Sequence, residues 1–130
     1  MKTCTLQVYI VDISNFAVAC KDKPEHEIFS ILDKFYALVE TVIEKSGGEV
    51  IKFMGDSALI TFELDKADDA KKAINSLVVK SNDLWQRFSI DSKLKIKSDV
   101  CKLVCGEMGI NKRFDVVGND LNRLFMKDWD

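Results

Sequence analysis

The chain has 130 residues, of which 47% are apolar and 31% are charged, and its formal net charge at pH 7 is −2. This length predicts one domain, residues 1–130, with room for a single hydrophobic core. The near-neutral balance of interspersed acidic and basic residues argues against nucleic-acid partners and against an anionic membrane surface.

The cysteine and histidine content argues against a zinc site. Cys4, Cys20, Cys101 and Cys105 form no CxxC pair, and His26 is the only histidine. Structural zinc usually needs four closely spaced ligands of these types. We therefore expect the cysteines to be reduced and largely buried residues of a cytoplasmic protein. No segment approaches the roughly 20 apolar residues that span a bilayer, so we expect no membrane contact from this chain.

The first half of the chain shows strand and helix patterns in turn. Residues 5–12 alternate apolar and polar side chains, which predicts a strand. A helix is predicted from Pro24, since proline is tolerated in a first turn, and its apolar positions recur at helical spacing as far as Gly47. Residues 49–54 and 57–63 then predict a hairpin around a tight Gly-Asp turn.

The second half begins with another long helix. Asp65 is the expected cap of this helix, and Trp85 and Phe88 are expected to face the core. Three strand segments and a last helix follow, at 94–98, 102–105, 114–117 and from residue 119. The order βαββα with further strands predicts an α+β fold. We expect a ferredoxin-like or palm-type sandwich, in which the helices cover one face of a mainly antiparallel sheet.

Two aspartates lie at the tips of predicted strands. Asp12 ends the first strand, and Asp56 occupies the turn of the hairpin, four residues after Lys52. Each aspartate alone also fits an ordinary role as a cap or turn residue. Together, two carboxylates at neighbouring strand tips are what a divalent-metal site for phosphate chemistry requires.

Three segments of the chain carry a family resemblance. They are VDISNF at residues 11–16, GGEVIKFMGD at 47–56, and CGEMG at 105–109 running on to FDVVGNDLN at 114–122. In order and rough spacing these segments resemble the catalytic domain of class III nucleotidyl cyclases, the adenylate and guanylate cyclases. The resemblance covers nearly the whole chain.

The resemblance implies a metal and phosphate site. It implies that Asp12 and Asp56 hold two Mg²⁺ or Mn²⁺ ions, with the carbonyl of Ile13 as a further ligand. One ion would activate the ribose 3′-hydroxyl and the other would bind the triphosphate. The backbone amides expected near the β- and γ-phosphates are those of Ser14, Asn15, Phe16 and Ala17.

The resemblance also implies a base-reading pair and a dimer. Lys52 and Asp115 match the residues that read the base, and their chemistry fits adenine. An ammonium donates to ring N1 and a carboxylate accepts from the exocyclic amine, whereas guanine presents the opposite pattern. Asn122 matches the residue that orients the ribose or the attacked phosphate. Metal and base-reading residues come from different subunits in this family, which implies a homodimer with two composite sites.

Two departures from the family pattern are visible. An ungapped alignment places Met126 where the family has its transition-state arginine, so Arg123, after a three-residue deletion, or Lys127 would have to replace it. Arginine and lysine are not equivalent for bidentate phosphate contacts. The family's His-Thr-Gly strand end reads Asp-Val-Cys at 99–101, and the C-terminal part of the family domain is expected to be missing after Asp130.

The leading expectation is an enzyme that cyclises ATP to 3′,5′-cyclic AMP and pyrophosphate. A non-catalytic relative that binds nucleotide, or that only dimerises in a regulatory role, is the first alternative. A palm-type oligonucleotide or dinucleotide cyclase is the second, and Ser57 argues against it because those families usually carry another carboxylate after the turn aspartate. Fold alone does not choose among the three.

Overall fold

The computed structural model describes residues 1–129 and contains one five-stranded sheet. The strands lie in the order β2-β3-β1-β4-β5, and every neighbouring pair is antiparallel. The predicted α+β architecture is therefore confirmed. The elements are β1 (Lys2–Ile13), α1 (Phe16–Ala19), α2 (Glu25–Lys45), β2 (Glu49–Met54), β3 (Ser57–Phe62), a 3-10 turn (Leu64–Lys66), α3 (Ala67–Arg87), β4 (Leu94–Met108), β5 (Arg113–Val117) and α4 (Asn119–Met126).

Helices α2 and α3 cover one face of the sheet. Tyr9, Val11 and Ile13 of β1 point into this layer because alternate side chains of a strand share a face. Trp85 of α3 lies there as expected, and its ring centroid is 6.0 Å from that of Phe35 on α2. Each large apolar side chain fully buried in such a layer contributes about 1.5–3 kcal/mol to folding. This layer therefore provides most of the core that fixes the sheet.

The opposite face of the sheet is only partly covered. Leu6, Val8 and Ile10 of β1 point to this side, where Leu121 and Leu124 of α4 pack against them. The expectation that the helices lie on one face holds for α2 and α3, whereas α4 lies on the other. No helix within residues 1–129 has both the length and the apolar character needed to cross a membrane.

Two local expectations were wrong. Strand β4 is a single strand of 15 residues rather than two short ones, because β1 pairs with it without interruption from Ile13↔Leu94 to Lys2↔Cys105. Asp65 does not cap α3. It lies in the 3-10 turn, and Lys66 occupies the cap position without a side-chain hydrogen bond.

The cysteines also differ from expectation. Cys20 and Cys101 are free and buried as expected, and burial raises the pKa of the Cys101 thiol to about 11. Cys4 and Cys105, however, are joined by a disulfide between β1 and β4, with a Cα–Cα distance of 7.0 Å. The prediction of four reduced cysteines is therefore wrong for this pair.

Candidate functional site

The end of β1 and the β2–β3 turn meet at one edge of the sheet. Antiparallel pairing of β1 with β3 places Asp12 opposite Ser57, the residue after Asp56. The N–H of Ile13 donates to the carbonyl of Asp56 at 3.0 Å, which ties the two segments together. Gly55 has a φ of +66°, a left-handed conformation that a tight two-residue hairpin turn requires and that glycine adopts without strain. Chain topology therefore brings Asp12 and Asp56 together.

The two carboxyl groups lie near each other at this edge, because Asp12 pairs with Ser57, the neighbour of Asp56. Burial, and next the negative charge of Asp12, raise the pKa of Asp56. Asp12 has two further partners: Ser57 donates its hydroxyl to Oδ1, and the Nζ of Lys95 lies 3.5 Å from Oδ2. The site thus holds two acidic groups in partial burial, with one lysine as counter-charge.

Asp12 and Asp56 fit a divalent cation. Like charges at this separation repel each other, and a bound cation would remove that repulsion while using both groups as oxygen ligands. Within residues 1–129 no cluster of three or more Asp, Glu, His or Cys side chains forms a larger metal site. Magnesium commonly binds through one or two carboxylates together with substrate phosphates, so two carboxylates suffice for such a site.

The segment after Asp12 provides backbone amides at the start of α1. Asn15 has a left-handed φ of 58° and precedes the helix, and the buried side chain of Phe16 anchors the turn. The amide of Ser14 is already engaged, because it donates to the carbonyl of Lys93 at 2.8 Å. The N–H groups that begin a helix have no partner within the helix. The amides of Asn15, Phe16 and Ala17 are therefore the ones best placed for a phosphate.

Lys52 and Asp115 meet across the sheet. Their strands, β2 and β5, are the two edges in strand order, yet the sheet curls enough for these edges to approach each other. The Nζ of Lys52 donates to Oδ2 of Asp115 at 3.0 Å, and the N–H of Val116 donates to Oδ1 at 2.8 Å. A cavity of about 790 Å³ adjoins the pair, within the range of small-molecule sites. Its lining includes Glu49, Phe53, Met108, Arg113 and Phe114.

Asn122 and Arg123 lie on the outer side of α4. The Arg123 guanidinium pairs with Oδ1 of Asp120, while Oδ2 of Asp120 accepts the N–H of Lys102. That N–H, and then Arg123, lower the pKa of Asp120. Among the described residues, no hydrogen bond or ion pair joins Asn122 or Arg123 to the two site aspartates. The structure therefore brings together Asp12 with Asp56 and Lys52 with Asp115, and it leaves the α4 residues separate.

Sequence reasoning missed two lysines and a tryptophan beside this site. Lys95 lies directly opposite Asp12 in the β1–β4 register, the position in which opposite charges attract across strands. Lys97, 5% exposed, donates to the carbonyls of Phe125 and Lys127, each at 2.8 Å. The Nζ atoms of Lys95 and Lys97 lie 4.8 and 4.3 Å from the centroid of the Trp129 ring. The sequence did offer a signal for these lysines, because Lys95 and Lys97 alternate with the apolar residues Leu94 and Ile96 in one strand.

A comparison with protein families identifies the family of this chain. The family profile described as the adenylate and guanylate cyclase catalytic domain matches residues 2–124. An uncharacterized protein of Mycobacterium tuberculosis is 27% identical over an alignment of 122 residues that covers 89% of this chain. The chain spans about a fifth of the length of that relative, 22%.

Solved structures with the same fold are also cyclase domains. The guanylyl cyclase Cya2 superposes with a TM-score of 0.86 at 20% identity, over 96% of this chain and 69% of that one. The adenylyl cyclase CyaB from P. aeruginosa superposes with a TM-score of 0.84 at 18% identity, over 96% and 72%. At such low sequence identity these superpositions establish a shared fold and nothing more. One neighbour is named a guanylyl cyclase and the other an adenylyl cyclase, so they do not indicate a substrate for this chain.

Because the Asp12 and Asp56 carboxyls lie close together, removing the charge of Asp56 should change the thermal stability of the protein. In metal-free buffer at pH 7, Asp56→Asn should raise the melting temperature, because a raised pKa means that the fold disfavours the ionised form. Protonated Asp56 adds stability, and this contribution is fully present below the ordinary pKa of an aspartate. It is lost as the pH rises through the pKa of Asp56 in the folded protein, which is higher. Mn²⁺ should stabilise the wild type and leave the variant unchanged in thermal-shift measurements.

The matched control for this charge removal is Asp33→Asn, at an exposed position on α2. We expect it to melt like the wild type in metal-free buffer and to keep the full Mn²⁺ response. A metal response that survives Asp56→Asn would show that the ion binds elsewhere.

Proposed function

The chain belongs to the adenylate and guanylate cyclase catalytic domain family, and we propose that it cyclises ATP to 3′,5′-cyclic AMP and pyrophosphate. Family membership supports a nucleotidyl cyclase, a lyase that acts on a nucleoside triphosphate. We choose ATP as the substrate because the Lys52–Asp115 ion pair lines a cavity of about 790 Å³. We place the reaction in the cytoplasm because it consumes a nucleoside triphosphate.

The chemistry of the pair favours adenine. Lys52 offers only donors and Asp115 only acceptors, which complements the N1 acceptor and amino donor of adenine. The two side chains are 42% and 26% exposed, so the ion pair contributes little to stability and is readily exchanged for contacts with a base. The bond from Val116 N–H to Asp115 keeps the carboxylate oriented during that exchange.

The remaining site residues have distinct roles in the proposed reaction. Asp12, Asp56 and the Ile13 carbonyl would hold the divalent ions, which when bound would neutralise phosphate charge and make the 3′-hydroxyl more acidic. The free amides that begin α1 orient the terminal phosphates for in-line attack. The ribose 3′-hydroxyl loses its proton to water, its oxygen bonds to the α-phosphorus, the bond from that phosphorus to the bridging oxygen breaks, and pyrophosphate leaves. Asn122 orients the ribose, and Arg123 donates to the charge that develops on the phosphate.

The proposed site is shared between two copies of the chain. Asn122 and Arg123 are exposed on α4 and have no contact with Asp12 or Asp56 of the same chain within residues 1–129. A second copy that presents its own α4 would complete the site, and two-fold symmetry would create two such sites.

One observation favours a non-catalytic relative as the second candidate. The Arg123 guanidinium is engaged with Asp120, and the family's arginine register falls on the exposed Met126. A protein that binds ATP without turnover would need the Asp12–Asp56 and Lys52–Asp115 groups alone. The palm-type alternative lacks comparable support, since Ser57 donates to Asp12 instead of supplying another carboxylate.

The direct test is turnover. We expect purified protein with Mn²⁺ to form cyclic AMP from ATP and to prefer ATP over GTP by about 10–100-fold, the discrimination typical of one bidentate base contact. Mass spectrometry of reactions with ATP, GTP, CTP and UTP measures the product. Asp56→Asn should form none, and Asp33→Asn should match the wild type. Absence of product together with Mn²⁺-dependent ATP binding would select the non-catalytic relative. Absence of both would overturn the proposal.

Exchange of the two base-reading charges should change the substrate. Lys52→Glu combined with Asp115→Lys keeps an ion pair and reverses the donor and acceptor pattern toward that of a guanine reader. The ratio of kcat/KM for ATP to that for GTP should fall by about 100-fold or more. The control exchanges another surface pair, Lys23→Glu with Glu27→Lys, and should leave the ratio unchanged. An unchanged ratio in the first variant would remove both residues from base recognition.

Mixing of variants tests the composite site. Asp56→Asn lacks a metal ligand and Asp115→Ala lacks a base reader, so each homodimer has two defective sites. A mixed dimer carries both defects in one site and leaves the other intact, and random mixing should restore about a quarter of wild-type activity. Steady-state assays before and after mixing measure this recovery. If each site belonged to one chain, mixing would restore nothing.

A further inference from the structure

Tyr36 of α2 contacts the turn that carries Asp56. Its hydroxyl donates to the carbonyl of Gly55, and its ring stacks on Phe53 of β2 with centroids 3.9 Å apart and planes 12° from parallel. The ring centroid of Phe35 lies 6.4 Å from that of Tyr36. A side chain from the helix layer therefore reaches both the backbone of the turn and the strand that leads into it.

The hydrogen bond acts on the peptide group that precedes Asp56. That group comprises the carbonyl of Gly55 and the N–H of Asp56. The Tyr36 hydroxyl therefore holds the peptide plane from which the Asp56 side chain projects. Burial, and then the negative charge of Asp56, raise the pKa of Tyr36, so its hydroxyl remains a donor at neutral pH.

The pairing of Met54 with Ser57 closes the hairpin, and two further hydrogen bonds hold the backbone of the turn. The space around Gly55 is open: no other atom lies within 4 Å of the position that a Cβ would occupy. The contact from Ile13 to the carbonyl of Asp56 secures the far side of the turn, and Tyr36 secures the near side. Without the Tyr36 hydroxyl, the Gly55 carbonyl would lose its hydrogen bond to α2, and the turn would be held by the hairpin pairing and the Ile13 contact.

We propose that Tyr36 is a positioning residue of the metal site, which holds the Gly55–Asp56 peptide so that the Asp56 carboxylate faces Asp12. The inference rests on the proposed function, because it gives Asp56 its part in metal binding. The alternative is that Tyr36 serves only as an aromatic core residue. In that case the ring matters and the hydroxyl does not, and replacement by Phe separates the two.

The test compares Tyr36→Phe with Tyr9→Phe in the metal-free and Mn²⁺-titrated protein. Tyr9 is also partly desolvated and packs edge-on against Phe62, but it makes no contact with the turn within residues 1–129. Hydrogen exchange of the Ile13 amide reports on turn opening, because this amide donates to Asp56. Isothermal titration with Mn²⁺ reports on the metal site.

We expect Tyr36→Phe to accelerate exchange of the Ile13 amide and to weaken Mn²⁺ binding, each by about five- to tenfold, the effect of one lost hydrogen bond. Tyr9→Phe should change neither quantity. Wild-type exchange and affinity in Tyr36→Phe would overturn the inference and leave the proposed function standing. A wild-type protein that binds no Mn²⁺ would overturn the proposed function and this inference with it.

Discussion

The site depends on one constraint, the antiparallel pairing of β1 with β3. This register places Asp12 opposite Ser57 and so holds two carboxyls near each other at the end of the sheet. Such an arrangement is unfavourable in isolation, since both burial and like charge disfavour ionisation. The layer formed by α2 and α3 fixes the strands firmly enough to maintain it. A cation is the partner that would convert this unfavourable arrangement into a binding site.

The two faces of the sheet have different tasks. The face covered by α2 and α3 buries an uninterrupted apolar layer, and this layer makes the strand register rigid. The other face is covered only in part by α4, which leaves room for a cavity between the edges β2 and β5. Curling of the sheet brings Lys52 to Asp115 across that cavity. A binding site at the sheet edges needs rigid strands to position its side chains and open space to admit a ligand, and the two faces of this sheet supply one each.

The periodicity of apolar residues was sufficient to predict those helices and strands whose structure depends on local sequence. It predicted β1, α2 and the β2–β3 hairpin within one to three residues, because their apolar spacing matches the period of each element. It failed for β4, where polar residues interrupt the pattern. Continuity there comes from pairing with β1, whose partner residues lie 81 positions away in sequence at one end (Ile13 and Leu94) and 103 at the other (Lys2 and Cys105). Asp12 and Asp56 were recognisable as strand-tip acids. The pairing of Lys52 with Asp115 came only from family resemblance, and Tyr36 and Lys95 act through contacts between distant segments.

In the proposed dimer, the outward face of α4 would meet a second copy of the chain. Leu121 and Leu124 face the sheet, so Asn122, Arg123 and Met126 necessarily face away from it. The Arg123–Asp120 pair is solvent-exposed and contributes little to stability, so Arg123 can leave it for a phosphate at little cost. Met126 is 82% exposed beside Phe125, and exposed apolar groups next to functional side chains are typical of an interface. The residues that do not reach the metal aspartates within one chain are thus the ones best placed to reach those of a partner.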